Sequence, residues 1–210
     1  MNKKGQLIVV SGPSGVGKGT MLREYVKGRE SVRYSVSATT RAPRPGEENG
    51  KDYYFLTKEE FLNRVEQGNI LEYAQYNGNF YGTPKDMVEQ ALAQGQDIIL
   101  EIDVQGALQV KEKSPGALLV FIMPPSGEEL RQRLIGRQTE DEATINKRLA
   151  IAQEEMAQVQ EYQYVVVNDN LDQAVAQFNH IVEANRSLVT NWLSENKSEY
   201  GFGPGAKPLK

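Results

Sequence analysis

Residues Ser11–Thr20 read SGPSGVGKGT and follow the apolar run QLIVV at Gln6–Val10. A loop that wraps a phosphate is written G-x-x-x-x-G-K-[ST]. Gly12, Gly17 and Lys18 fall in register, with Pro13, Ser14, Gly15 and Val16 between them. Position 19 is glycine, however, and the hydroxyl arrives one residue late, as Thr20. The context is the one the pattern needs: strand, glycine-rich turn, helix. Glycines let backbone N–H groups curl round an anion, and the helix start adds a partial positive charge. Lys18 would bridge the β- and γ-phosphates of a nucleotide as a point charge. The plain alternative is a turn that only joins strand to helix, and GPSGVGK directly behind a buried strand argues against it.

Gly19 changes the metal argument. A Ser or Thr hydroxyl at this position ordinarily ligates Mg²⁺. Without it, Mg²⁺ would be held mainly by nucleotide phosphates and water, with Asp103 as a candidate carboxylate. Mg²⁺ keeps several waters readily, so this is physically acceptable.

Beyond the loop, apolar runs recur at Leu7–Ser11, Ile98–Asp103, Leu118–Met123 and Tyr164–Asn168. Short, continuous and bounded by polar residues, they read as strands buried on both faces. Helical stretches between them argue for βαβ units and a parallel sheet. Helix starts are marked by capping boxes at Thr57–Glu60, Ser126–Glu129 and Thr139–Glu142, and by Thr83–Pro84 as an N-cap with proline in the first turn. Gly68 and Gly95 mark helix ends, and a last helix is expected from about Asp172 to Trp192. The segment from Tyr34 to Gly82 is richer in aromatics and turn residues, and Asn77-Gly78 is a two-residue hairpin signal. It reads as a small antiparallel insertion followed by a helix.

Bulk composition narrows the chemistry. The chain has 210 residues, room for one sizeable domain with an insertion, and its net charge of -4 provides no general field for nucleic acid or anionic membranes. With no cysteine there is neither a thiol nucleophile nor a Cys-based metal site, and the single histidine, His180, is read as structural. No signal peptide or membrane-spanning run is read, so a cytoplasmic location is expected.

A second ligand signature lies in SVSATTRAPRPGEENGKDYYF, Ser35–Phe55. Arg41 and Arg44 flank Pro43, and Pro45 follows, so two guanidiniums sit on a stiffened loop. Each can bind two oxygens of a phosphomonoester, and Tyr53 adds a hydroxyl. Taken alone, such a loop is more often merely solvated. Glu72, Tyr81 and Thr83 follow on or beside the hairpin.

With both stretches in view, the chain resembles known families. GKGT at 17–20 is similar to the loop of nucleoside monophosphate kinases such as adenylate kinase. TTRAPRPGEENGKDYYF followed by EYAQYNGNFYGT resembles the guanylate kinases, as do LEIDVQGA, FIMPPS, LIGRQTE, INKRL and VVVND in the same order. The resemblance runs from Leu7 to about Asp169. It implies an α/β fold: a parallel P-loop core sheet flanked by helices, a small mixed α/β GMP-binding insertion and a helical lid. The corresponding boundaries are 1–34, 84–125 and 163–193 for the core, 35–83 for the insertion, 126–162 for the lid and adjoining helices, and 194–210 for a flexible tail.

The resemblance implies transfer of the γ-phosphoryl group of ATP to GMP, with dGMP as a further acceptor, Mg²⁺ assisting. Matched position by position, the GMP site would comprise Ser37, Arg41, Arg44, Glu47, Tyr53, Glu72, Tyr81, Thr83, Glu101 and Asp103. Arg41, Arg44, Tyr53 and Tyr81 would hold the GMP phosphate. Glu72 would read guanine N1–H and the N2 amino group, with Ser37 and Thr83 donating to O6. ATP would lie on residues 12–20, Arg133, Arg137, Asn168 and Asp169. Lys18, Arg41, Arg137 and Arg148 would be the catalytic cations. Two features stay open to plainer readings. Glu140, Asp141 and Glu142 fit a surface helix laced with ion pairs, and Asn168 and Asp169 fit a helix cap. The family usually has GRG where this chain has Gly136-Arg137-Gln138, so a small change in lid flexibility is expected. Two rival functions are a guanylate-kinase-like binding module without chemistry and a monophosphate kinase for another base. The intact loop argues against the first, and Glu72 with Ser37 and Thr83 against the second. Oligomeric state is left open between monomer and homo-oligomer.

Overall fold

A computed structural model describes residues 4–136 and 141–196, with the backbone alone for 194–196. Arg137, Gln138, Thr139 and Glu140 therefore lie outside the described residues, as does the tail beyond Asn196.

Five strands form one parallel sheet in the order β2-β7-β1-β8-β9: β2 Val32–Tyr34, β7 Asp97–Glu101, β1 Leu7–Ser11, β8 Leu118–Met123 and β9 Tyr164–Val167. Alternation along β1 sorts the core. Ile8 and Val10 join Met21, Leu22 and Tyr25 of α1 (Lys18–Val26) and Phe178 and Val182 of α7 (Leu171–Arg186) on one face. Leu7 and Val9 join Val88 and Leu92 of α3 (Lys85–Ala93) and Ala107 and Val110 of α4 (Val104–Lys113) on the other. The chain winds to one side of β1 through β2 and β7, then to the other through β8 and β9. The crevice beyond the carboxyl ends of the strands at such a reversal is where open α/β sheets take ligands, and the glycine loop leaves β1 there.

The insertion has its own sheet, ordered β4-β3-β6-β5, from β3 Ala38–Thr39, β4 Tyr54–Phe55, β5 Ile70–Tyr76 and β6 Asn79–Pro84. The β3–β4 pair is parallel, so the sheet is mixed rather than purely antiparallel. Helix α2 (Lys58–Glu66) lies between β4 and β5 in sequence and buries Phe61 against Ala38, Ile70 and Phe80. Asn77 and Gly78 both take positive φ, 47° and 79°, as a type I′ hairpin turn requires. Two further helices, α5 (Gly127–Ile135) and α6 (Glu142–Met156), pack through Leu130, Leu134, Ile145 and Ala152. No helix among the described residues is long and apolar enough to cross a membrane.

Several expectations need correction. Strand β9 is buried on one face only: Val165 and Val167 are 39% and 46% exposed, because β9 is an edge strand. Strand β2 was not foreseen. Thr83 does not cap α3; Pro84 holds that position without a side-chain bond, while Thr83 lies within β6. The Thr57 capping box forms in full. At Ser126 only half of it does: its hydroxyl accepts from the Glu129 N–H, while the Glu129 carboxylate turns to Arg133. Helix α6 is capped by Asp141, not Thr139. The last helix breaks at Ser187-Leu188 and resumes as α8 (Val189–Asn196). The Asn191 amide donates to the Asn185 carbonyl at 2.7 Å, satisfying an acceptor at the break. His180 is exposed on α7.

Candidate active site

The loop's shape is enforced by what surrounds it. Gly12, Gly15 and Gly17 have φ of 150°, 88° and 91°. A Cβ on Gly12 would sit 2.3 Å from the Ile122 carbonyl oxygen, and one on Gly17 would sit 2.6 Å from the Asn168 amide. Only glycine takes both the conformation and the space. Between them Val16 is fully buried in the core, and its carbonyl accepts from Asn168 Nδ2 at 2.8 Å. Gly17 then caps α1, so the N–H groups of its first turn lie at the loop.

Lys18 Nζ folds back onto the loop, donating to the Gly12 carbonyl and, at 3.4 Å, to that of Pro13. Burial lowers the pKa of its ammonium, while the negative charges of Glu101, Glu155 and Asp103 raise it. The late hydroxyl of Thr20 accepts from Arg23 Nη2 at 3.2 Å, a bond within its own helix. A Cβ at position 19 would lie 3.3 Å from Arg23 Nη1, the far end of a flexible side chain, and 3.4 Å from Glu101 Oε1, an ordinary contact. Glu101, assigned above to GMP, is thus set against the phosphate loop at the end of β7. Asp103 caps α4, its Oδ1 accepting from the Gly106 N–H at 2.8 Å.

On the insertion, Arg41 and Glu47 form a two-pronged pair, Nη1–Oε2 at 3.0 Å and Nη2–Oε1 at 2.8 Å. The same carboxylate accepts from the Arg44 N–H at 2.7 Å. Glu47 therefore holds Arg41 and closes the arginine loop, and the Arg41 fork is what chiefly lowers its pKa. The Arg41 guanidinium lies 5.4 Å from the Tyr53 ring centroid, and Tyr53 meets Tyr81 edge-on at 6.1 Å. Arg44 itself is exposed. Ser37 precedes β3, half-buried, its carbonyl accepting from the Tyr54 N–H at 2.8 Å.

Glu72 is a buried carboxylate, 7% exposed. Thr83 Oγ1 donates to its Oε1 at 2.6 Å. Burial pushes its pKa up; the Thr83 bond opposes this, nearby Asp103 adds to it and Lys113 again opposes. Sequence reasoning missed what positions it. Gly106 leaves the space: a Cβ there would stand 3.1 Å from Glu72 Oε2. Gln109 on α4 acts as an extra strand, accepting from the Tyr73 N–H at 3.1 Å and donating to its carbonyl at 3.2 Å. Lys113 donates to the Ile70 carbonyl at 3.1 Å. The spacing Gly106–Gln109–Lys113 places all three on one helix face, and that is the signal that was available.

Of the lid arginines, Arg148 Nη2 donates to Ser14 Oγ at 2.7 Å. Arg133 bonds Glu129 at 2.9 Å and the Asn168 carbonyl at 2.8 Å, tying α5 to the end of β9. Arg137 lies outside the described residues. Asn168 is buried against the loop, Asp169 is exposed, and the α7 cap is Asn170. The plainer reading of Asn168 and Asp169 as caps therefore does not hold.

Comparison with known proteins bears on the family and the fold. The sequence profile of the family described as Guanylate kinase matches residues 4–185. The guanylate kinase of Desulfitobacterium hafniense is 52% identical over 185 residues, 88% of this chain and 92% of its own length. That of Lactococcus lactis is 52% identical over 189 residues, 90% and 92% of the two chains. The crystal structure of guanylate kinase from Anaplasma phagocytophilum superposes with a TM-score of 0.66 at 35% identity, covering 96% of this chain and 98% of that one. With a profile match over most of its length and relatives at half identity, the chain belongs to the guanylate kinase family.

Proposed function

We propose that this protein transfers the γ-phosphoryl group of ATP to GMP, giving ADP and GDP. The observation that carries the choice of acceptor is the buried Glu72–Thr83 pair in the same molecule as the Lys18 loop. Guanine presents N1–H and the N2 amino group side by side, two donors for one carboxylate. Adenine has a bare acceptor at N1, which would set a lone pair against the buried carboxylate and give it no donor from the base, at a cost of about 1–3 kcal/mol or more. The single proton of the Thr83 hydroxyl is engaged by Glu72 Oε1, so donation to guanine O6 falls to Ser37 in this reading.

Phosphoryl transfer asks mainly for positioning and neutralised charge. Lys18 exchanges the Gly12 and Pro13 carbonyls for nucleotide phosphates. Arg41, held by Glu47, takes the GMP phosphate with Arg44, Tyr53 and Tyr81. Arg148 reaches over from α6 and helps to exclude water, and Arg137, which lies outside the described residues, is assigned to the same phosphates. Mg²⁺ bound with ATP neutralises charge on the β- and γ-phosphates. No cluster of three or more acidic or histidine side chains among the described residues could hold a bare ion. Glu101 and Asp103 lie within electrostatic reach of Lys18 and suit contact with an ion carried on phosphates and water. No general base is required, because the attacking GMP oxygen is already anionic.

A coupled assay of ADP release from Mg·ATP, run with GMP, dGMP, AMP, CMP and UMP, tests the assignment. Turnover with the guanine nucleotides alone is expected. Turnover with AMP would overturn the account of the base pocket. No turnover in a folded protein that binds GMP would make this a binding module.

A further inference from the structure

Strand β5 carries one residue more than its partner. Ile70 pairs with Pro84 and Tyr73 with Gly82, so β5 takes three steps where β6 takes two. The extra residue makes a β-bulge at Leu71-Glu72, and a bulge re-aims side chains. In a regular strand Ile70 and Tyr73 would point to opposite faces. Here both join Phe61 in the insertion's core. Leu71 and Glu72 turn the other way: Leu71 is buried with Val88, Ala107 and Val110 of the main core, and Glu72 reaches Thr83 and the Gly106 turn of α4. Gly82, across from the bulge, leaves it room. A Cβ there would stand 2.5 Å from the Glu72 carbonyl oxygen and 2.9 Å from Tyr73 Cβ.

A bulge disrupts the hydrogen-bond ladder, and β5 is an edge strand with no strand on its outer side. Backbone groups away from water need partners. Helix α4 supplies them at both ends of the bulge. Lys113 Nζ donates to the Ile70 carbonyl at 3.1 Å. The Gln109 amide accepts from the Tyr73 N–H at 3.1 Å and donates to the Tyr73 carbonyl at 3.2 Å. One side-chain amide thus reproduces both bonds of a neighbouring strand, at the residue next to Glu72. Gln109 gives two bonds and is half-buried, while Lys113 gives one and is exposed, so Gln109 carries the larger share of the clamp.

We propose that Gln109 is a positioning residue for acceptor recognition. It pins the bulge that aims Glu72 out of the insertion's core and into the base site. Without the clamp, β5 can relax its register at an edge that nothing else pairs, and the carboxylate loses its fixed aim. A misplacement of about 1 Å is enough to impair a positioned group. The inference rests on the reading of Glu72 as the group that recognises the acceptor base.

The test is steady-state kinetics with GMP and with AMP as acceptor, on the wild type, Gln109→Ala, Glu72→Gln and the double variant. Alanine keeps α4 helical and removes both bonds to Tyr73. Expected for Gln109→Ala is a KM for GMP raised several-fold and a narrower preference for GMP over AMP, with kcat at saturating GMP and the KM for ATP near wild type. In the Glu72→Gln background the same change should add little, because the carboxylate it positions is gone. If Gln109→Ala does not fold, Gln109→Glu, which keeps the shape and the acceptor but loses the donor, is read in its place with the same expectations. An equal rise in the KM for GMP in both backgrounds overturns the proposal. So does an equal rise in the KM values for GMP and ATP, the mark of a merely structural role. If Glu72→Gln weakens GMP and loss of the Gln109 amide does not, this inference alone falls. If Glu72→Gln leaves the KM for GMP unchanged, the base-reading assignment falls and takes this inference with it.

Discussion

The glycine loop and the pocket around Glu72 are built from opposite materials. In the loop the backbone is the instrument, and side chains are absent where the chain must come close: to Ile122 at Gly12, to Leu134 at Gly15, to Asn168 at Gly17. In the pocket the side chains are the instrument: a buried carboxylate with one hydroxyl donor, and an arginine forked onto a glutamate. A backbone site is broken by adding an atom. A side-chain site is broken by removing a charge or a proton.

Three changes would break or sharpen that contrast. The largest effect is expected from Gly12→Ala. Its methyl group would lie 2.3 Å from a backbone oxygen of β8, which cannot swing away. Overpacking of this kind costs about 3 kcal/mol, a fall in Tm of roughly 6–12 °C for a chain of this size. ATP turnover should be abolished, and a thermal melt with the coupled assay checks both. An alanine variant as stable and active as the wild type would mean that the loop is not held by the core.

Next is Glu72→Gln. The pocket keeps its shape, because an amide oxygen still accepts from Thr83, but guanine loses its carboxylate. GMP binding should weaken by about 1–3 kcal/mol, roughly five-fold to more than a hundred-fold, with ATP binding unaffected. The pH dependence follows from burial, which raises the Glu72 pKa. The raised pKa means that the folded state favours the protonated form. Stability from this group is therefore fully present below the unfolded pKa and is lost as pH rises through the folded one. The Gln variant should accordingly be at least as stable as wild type at neutral pH. GMP affinity runs the other way: it needs the carboxylate and should fall as pH drops through the raised pKa. Titrating GMP against pH in both proteins checks this; an equally steep acid limb in the Gln variant removes Glu72 from base reading.

The smallest effect is expected from Glu47→Gln. Arg41 keeps its charge but loses half of its fork, so the KM for GMP should rise several-fold with the KM for ATP constant. Steady-state kinetics at fixed, saturating co-substrate separates the two.

The same contrast explains what the sequence made legible. The loop was readable because spacing alone encodes it, and β1, β7 and β8 because strands buried on both faces are continuous apolar runs. Strand β2 was not, because three residues, Val-Arg-Tyr, carry no periodicity. Strand β9 looked like a central strand because an edge differs in what covers it, not in composition. Thr83 was misread as a cap because Thr-Pro before a helix is a cap signal, yet its hydroxyl was drawn to a buried carboxylate eleven residues away in sequence. Glu47 was assigned to GMP by resemblance; its bonds in the structure are to Arg41 and Arg44. Gly106 and Gln109 went unnoticed because their shared helix face with Lys113 gains its meaning only from tertiary contacts with Glu72 and β5.

One of those contacts has a geometric consequence. Gln109 and Lys113 fasten β5 to a helix of the core, and β5 is an edge of the insertion's sheet. Strand β3, which leads into Arg41, lies two places away, about 10 Å across the strands. A rotation about that fastened edge would sweep the arginine loop through an arc of ångströms while the Glu72 carboxylate scarcely travelled. On the proposed assignment of these residues, the base end of the acceptor would sit near the hinge and its phosphate end on the moving arm.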